Sequence, residues 1–557
     1  MKSLYWKRVM EAAGVCALCA LLAAAGTHTR NIRQTKNETA DENQTTWEQA
    51  ENTPFGKYPK LLTYTLGKVT AEDNANMPKG DTYEDNNYTR YLRSLLNVQN
   101  KDVLEGLNNQ QYEQMEHMSI LEESVPDIMV VTSQELLDTL VEQDLIEDLT
   151  DTYETCASFR MKEMYASYGR DQLDSVTYDG KLMAYPETEV YIGPALLWLR
   201  KDWIEKLGLQ EPTTMEEAMQ VIRAFVQENP GENKKGNVGL VFDPELVGKT
   251  DQCFSLDPLF ESYGAYPQKW IPQKDKTMVY GSVTPQMRTA LEAIADYYKE
   301  GVLDPSFMLS NAKNLSELLQ NGQCGAFFGW WWAPNSPLAS IYDKEADWQP
   351  YLFENAKGTV KTTIPYGRHY CVVARKGYEH PELIPKILSA VYDYARYDGR
   401  EEAKDVGQYL GMNVNQAATP FVINIDYSDA IFRTSSNMDM VKRGQRNFNS
   451  LNVLERGYYR SCEQYLKSDD PQAFEWAAYT SRITAIDVLK EKKIVYVNKG
   501  YTQQYDRLQT EELKDLEQKT FLKIIMGEEP ITYFDWFVKE WYKNGGTELT
   551  EMANNME

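Results

Sequence analysis

The chain is short of the residues that build covalent, metal and phosphate chemistry. Of its seven cysteines, Cys16 and Cys19 lie near the N-terminus, and Cys156, Cys253, Cys324, Cys371 and Cys462 are scattered singletons. Such a set closes no full disulfide framework and has no zinc-ligand spacing, so the fold is expected to stand on its core with buried free thiols. The four histidines, His28, His117, His369 and His380, form neither an H-x-x-x-H nor an H-E-x-x-H pattern, which leaves metal-ligand chemistry without a motif. No G-x-S-x-G nucleophile turn occurs. Positive charge is also scarce: 58 Lys and Arg stand against 83 Asp and Glu, a formal charge of −25. Phosphate neutralisation needs clustered cations, so DNA, RNA and anionic lipid surfaces are poor partners for the body of the protein. Past residue 26 no run approaches the eighteen or so apolar residues of a membrane span.

The first 26 residues differ from the rest. Lys2, Lys7 and Arg8 precede an apolar stretch from Ala12 to Ala25, and Ala23-Ala24-Ala25 offers a small-residue cleavage site. This pattern predicts an export signal or a retained N-terminal anchor. Cys16 and Cys19 raise the question of lipidation, although neither follows the Leu-x-(Ala/Gly) pattern that processing needs. Residues 27–56 are polar and aperiodic, a flexible linker with a reach of roughly 30 Å. The expected localisation is the outer face of the cytoplasmic membrane, tethered or secreted, with membrane contact only through the N-terminal segment.

At 557 residues the chain exceeds the size at which one hydrophobic core stops growing, so two lobes or more are expected. Lys60–Gly67 alternates as a first strand, Gln111–Glu123 has helical spacing, Ile128–Val131 reads as a short buried strand, and Ser133 opens a helix. Asp202 is the expected cap of a short helix ending at Gly208. Thr214-x-x-Glu217 reads as a capping box. Near the C-terminus Thr532 is expected to cap a helix closed by Gly545-Gly546. Helices and short strands in quick alternation predict an α/β fold.

Five blocks in one order carry a family resemblance: "SVPDIMVV" with "LVEQDLIEDLTD"; "YDGKLMAYP" with "LLWLRKDWIEKLGLQEPTTMEEA"; "NGQCGAFFGWWWAP"; "RHYCVVARKGYEHPELIPKIL"; and the closing "FLKIIMGEEPITYFDWFVKEWYKNGGTELTEMAN". From about residue 60 to 555 the chain resembles the bacterial extracellular solute-binding proteins of family 1, the maltose-binding-protein-like receptors of ABC importers, in their long Gram-positive form. The resemblance implies a two-lobe, periplasmic-binding-protein-like α/β fold with a ligand cleft between discontinuous lobes, closing by hinge motion. The lobes would take residues 57–188 with 366–415 and 189–365 with 416–557. Chain crossings would fall near Glu187–Trp198, near Pro365–Cys371 and between about 410 and 430. The implied function is reception of an oligosaccharide by a monomer that delivers it to ABC permease subunits, with no cofactor and no catalysis.

Family members that take oligosaccharides place aromatic residues where "GAFFGWWWAP" lies. A pyranose offers its C–H face to a ring and its hydroxyls to polar groups, so Trp330, Trp331 and Trp332 are candidate ligand residues. If the strand ran on through them, Trp330 and Trp332 would share one side and Trp331 the other. By position the further candidates are Thr132, Ser133 and Gln134 after the strand that follows Pro126-Asp127; Glu187, Glu189 and Tyr191 in the first crossing; Tyr366, Arg368 and Tyr370 in the second; and Asp73 and Asn74 after the first strand. One departure stands out. Where long members often carry a calcium loop, this chain reads Asn229-Pro-Gly-Glu-Asn233-Lys-Lys-Gly-Asn237, with too few anionic oxygens for a hard divalent cation. Two rival functions are an anchored sensor presenting the loaded ligand to a receptor, and a secreted glycoside hydrolase, which would need two carboxylates about 5 to 10 Å apart.

Overall fold

Short runs of apolar residues supply the strands of two principal sheets: β1 (Leu62–Val69), β2 (Val98–Gly106), β3 (Ile128–Val131), β4 (Tyr185–Pro186), β5 (Leu196–Arg200), β6 (Ala326–Gly329), β7 (Trp348–Tyr351) and β8 (Cys371–Ala374). They belong to a computed structural model that describes residues 46–70, 77–169, 171–188, 193–248, 253–364, 370–411, 416–498, 505 and 508–555. Residues 1–45, which hold the expected export segment and most of the expected linker, lie outside the described residues, as do Asp73, Asn74, Glu189, Tyr191, Tyr366 and Arg368. The rest of that linker is not flexible coil, because Thr46 caps a helix, Trp47–Glu51, Ala50 enters a core and Lys386 donates to the Ala50, Thr53 and Gly56 carbonyls. Among those described, no helix is long and apolar enough to cross a membrane.

The first sheet has the order β2-β1-β3-β8-β4. Its β1, β2 and β3 run parallel, while β8 is antiparallel to both β3 and β4. All four residues of β3 are buried, as expected of a strand covered by helices on both faces. The second sheet, β6-β5-β7, is antiparallel. Its alternate residues part cleanly between two cores. Leu197, Leu199, Ala326 and Phe328 face one; Leu196, Trp198 and Phe327 face the other.

The hydrophobic cores define the two α/β lobes. One core gathers Ala50 to Tyr185 together with Tyr370 to Ala430. The cores on either side of the second sheet begin at Leu196, and one of them resumes at Ile431. The chain therefore changes lobe between Tyr185 and Leu196, before Tyr370, and again at Ala430 and Ile431. These passages are stitched together. The Glu187 N–H donates to the Tyr370 carbonyl at 2.7 Å, the Thr188 N–H donates to the Asn424 carbonyl at 2.9 Å, and the Asp426 N–H donates to Thr188 Oγ1 at 2.8 Å.

Several local expectations change in detail. Ser133 does cap its helix, Gln134–Glu142, accepting from the Leu136 N–H. Asp202 is not a cap: the helix Lys201–Lys206 begins at Arg200, and Asp202 instead receives the Arg200 guanidinium at 2.6 and 2.7 Å. Thr214 caps Met215–Glu228, but the Glu217 carboxylate reaches back to the N–H and hydroxyl of Thr213, not to Thr214. Thr532 precedes Tyr533–Trp541 without a side-chain cap bond. The glycines after Trp541 bend the chain instead of ending it, since Gly545 takes φ +119° and a further helix, Thr547–Asn555, follows.

Candidate functional site at the lobe junction

Strand register brings the expected site residues to one edge of the first sheet. Val131 pairs with Cys371, and Cys371 with Pro186. The next residues along, Thr132, Tyr370 and Glu187, are therefore neighbours at the carboxyl end of β3, where open α/β sheets present their ligand-binding edge. In the second sheet Gly329 pairs with Leu196, so Trp330 emerges at the edge from which β5 begins. Nine residue steps separate Glu187 from Leu196, a reach of at most about 32 Å. The two edges therefore adjoin the same chain crossings.

Most of the described candidates on the first lobe already have partners within the chain. The Thr132 hydroxyl and N–H both bond the buried Glu116 carboxyl, which burial pushes up to about 8. The Ser133 oxygen caps its helix. Gln134 donates to Tyr178 Oη at 2.7 Å and to Asp138 Oδ1 at 3.2 Å. Glu187 Oε1 accepts from the Asn424 N–H at 2.9 Å. Tyr370 is a core residue. These groups shape the edge and hold the crossings together.

The tryptophans do not alternate. β6 ends at Gly329, and turns run from Trp331 to Pro337, so the two-residue period does not carry through them. Trp330 is buried outside the hydrophobic cores. Trp331 is 9% exposed and belongs to the core of β5 and β6, against which the half-buried Trp332 packs. The Arg482 guanidinium lies over the Trp331 ring, its carbon 4.3 Å from the centroid, and over the Tyr458 ring at 4.1 Å. A guanidinium held between two aromatic faces has its plane set and its N–H edge left for hydrogen bonding.

Beside this stack runs a chain of polar contacts. Arg396 donates to Asn424 Oδ1 at 3.0 Å and pairs with Asp426 at 2.6 Å. Tyr397 also donates to Asp426. Tyr458 adjoins both clusters: the Arg482 charge is the leading cause that lowers its hydroxyl from the usual phenol range. Arg396 and Arg482 both stand on π-helical segments, Ala390–Asp398 and Thr480–Thr484, a geometry common where a helix serves a functional site. None of Arg396, Asn424, Asp426, Tyr458 or Arg482 was singled out from the sequence, because each lies within an ordinary helical or loop pattern.

Other concave and titratable features lie elsewhere. A cavity of about 1370 Å³ opens beside Tyr263, Tyr297, Tyr351 and Phe353, and its lining includes none of the three tryptophans. In the loop at Asn229–Asn237, Lys206 Nζ meets Glu232 at 2.6 Å and the Pro230 carbonyl at 2.9 Å, so an ammonium group takes the loop's carboxylate. Glu51, His380 and Glu382 could offer a metal three ligand atoms within 4.8 Å of one another. Glu382, however, already accepts from Tyr58 at 2.6 Å and sits 3.2 Å from His380 Nδ1, which it favours in protonated form.

Comparison with known proteins bears on this geometry. No family model matches the chain. The chain superposes on the Streptococcus pneumoniae ABC-transporter substrate-binding protein FusA, EF-hand mutant in complex with fructo-nystose, with a TM-score of 0.59 at 14% identity, covering 88% of this chain and 98% of that one. The alginate-binding protein AlgQ2 without calcium ion gives a TM-score of 0.57 at 14% identity, covering 89% and 97%. The fold is periplasmic-binding-protein-like. Sequence likeness is weaker and partial. The polygalacturonan/rhamnogalacturonan-binding protein YtcQ of Bacillus subtilis (strain 168) is 23% identical over 155 residues, 28% of this chain and 30% of that protein. The fructooligosaccharide ABC transporter substrate-binding protein FusA of Streptococcus pneumoniae serotype 4 is 22% identical over 263 residues, 45% and 41%. The matched stretches thus span less than half the length of these curated relatives.

Proposed function

We propose that this protein is an extracellular solute-binding receptor that takes an oligosaccharide at the junction of its lobes and delivers it to the permease of an ABC importer. The observation that carries the reading is the placement of Trp330–Trp332 and the Arg482–Tyr458 stack beside the crossings that join the lobes. Aromatic faces with hydrogen-bonding edges suit a sugar ring, and crossings bonded side by side suit a hinge. The matched proteins named as binders of fructooligosaccharide, alginate and polygalacturonan support the ligand class. The N-terminal segment would export the protein and hold its body at the outer face of the membrane.

The test is a thermal-shift screen of the purified chain against oligosaccharides. A ligand bound only by the folded state raises the midpoint by mass action, and the shift grows with ligand concentration. A flat response across neutral and acidic saccharides would refute the reading, and release of cleavage products would replace it with hydrolysis. Two permease genes beside this one would favour import; a histidine kinase gene would favour sensing.

A further inference from the structure

We infer that the ligand carries a negative charge, a uronic-acid carboxylate, and that Arg482 is the residue that meets it. This rests on the receptor reading above and narrows its substrate class. Arg482 is half-buried, fixed between Trp331 and Tyr458, and outside that stack its Nη1 donates to Ser481 Oγ at 3.0 Å. Among the described residues no carboxylate lies within 4.0 Å of it. Three other arginines of this region do have carboxylate partners: Arg396 with Asp426 at 2.6 Å, Arg160 with Asp393 at 2.6 Å and Asp398 at 3.1 Å, and Arg433 with Asp429 at 2.5 Å. In a chain with 83 acidic side chains, a half-buried cation that meets none of them among the described residues is a group suited to bind an anion.

A second donor beside it is also unanswered. Among the described residues the buried Trp331 indole N–H meets no hydrogen-bond partner. Guanidinium and indole are donor-only groups, so an incoming group that answers both must be an acceptor. A carboxylate supplies two acceptor oxygens and pairs with a guanidinium edge in bidentate fashion, more strongly than a neutral hydroxyl does. The aromatic faces on either side of Arg482 fit the C–H face of the sugar that bears it. The overall charge of −25 sets a limit of its own. It disfavours a long polyanion lying across the surface, whereas short uronate oligomers enter where the local charge is positive and more distant charges are screened beyond roughly 8 Å at physiological salt.

The experiment compares di- to tetrasaccharides of galacturonate, glucuronate and mannuronate with their methyl esters, by calorimetry on the full chain. For at least one backbone the acid is expected to bind tenfold or more tightly than its ester, and that preference should shrink as salt rises from 50 to 500 mM. Arg482→Gln should bring the preference to within about twofold, and Arg482→Lys should keep part of it. Esters bound as tightly as every acid would overturn this inference and leave the receptor reading standing. A preference that survives Arg482→Gln would overturn the assignment to Arg482. Failure to bind any saccharide, neutral or acidic, would overturn both; the salt series on the unaltered chain remains decisive if the variants do not fold.

Discussion

Arg396 and Asp426 form an ion pair of 2.6 Å next to the stitched crossings, with the Asp426 side chain only 4% exposed. Asp426 also accepts from Tyr397 and from the Tyr427 N–H, and Arg396 continues to Asn424, the residue that Glu187 and Thr188 hold. The pair therefore fixes the passage between lobes.

Removing one partner of a buried pair leaves the other desolvated and unanswered. Arg396→Met is expected to lower unfolding free energy by about 3 kcal/mol in urea titration. Adding Asp426→Asn to that variant should restore part of the loss, because the stranded charge is then gone.

The tryptophans separate by burial. Trp331→Ala removes a core ring and is expected to destabilise by about 3–5 kcal/mol. Trp332→Ala, at a half-buried position, should lower the melting midpoint far less while weakening oligosaccharide binding. Equal midpoints for the two variants would contradict this division.

Two buried carboxyls make stability depend on pH. Burial pushes Glu116 up to about 8 and Glu517 up to about 7, from an ordinary value of 4.5. Between 4.5 and those values the folded protein holds protons that the unfolded chain has released, so stability falls as pH rises through this window. Each group contributes at most about 1.4 kcal/mol per pH unit. Glu116→Gln and Glu517→Gln should each flatten the decline between pH 5 and pH 8, read from urea midpoints at several pH values.

Gly546 closes against Trp541 so tightly that an added Cβ would lie 2.2 Å from the ring. Gly546→Ala is expected to destabilise by about 1–3 kcal/mol through forced displacement of a core tryptophan, with near-ultraviolet circular dichroism reporting the shift.

The Asn229–Asn237 loop should bind no calcium in the micromolar range by calorimetric titration. Its carboxylate, Glu232, is engaged by Lys206, and the amides that remain make a poor set for a hard divalent cation. A saturable micromolar isotherm would contradict this.

Much of this architecture is legible in linear order because it is set by local periodicity. Alternation marks β1, a continuous apolar run marks β3, and Ser133 announces its helix by capping chemistry. Candidate Thr132 follows from the expectation that loops after strands meet ligands, and candidates Glu187 and Tyr370 follow from the chain crossings that the family resemblance implies. The roles of those residues do not follow. Thr132 answers Glu116, sixteen positions earlier, and Glu187 answers Asn424, 237 positions later. A hydrogen-bond partner so distant leaves no mark in a window of neighbours.

By itself the sequence determined the strands and helices, the two-lobe α/β scale, the poverty of cysteine and cation, and the position of Trp330-Trp331-Trp332 after a strand. Those properties depend on short-range steric preference and on composition. Only the tertiary structure decided that β6 stops at Gly329, that Trp331 enters a core, and that Arg482, some 150 residues away, is clamped over its ring with no carboxylate beside it among the described residues. The reason is physical: burial and charge pairing are set by which surfaces meet in space, and those surfaces come from segments the chain brings together only once both lobes have formed.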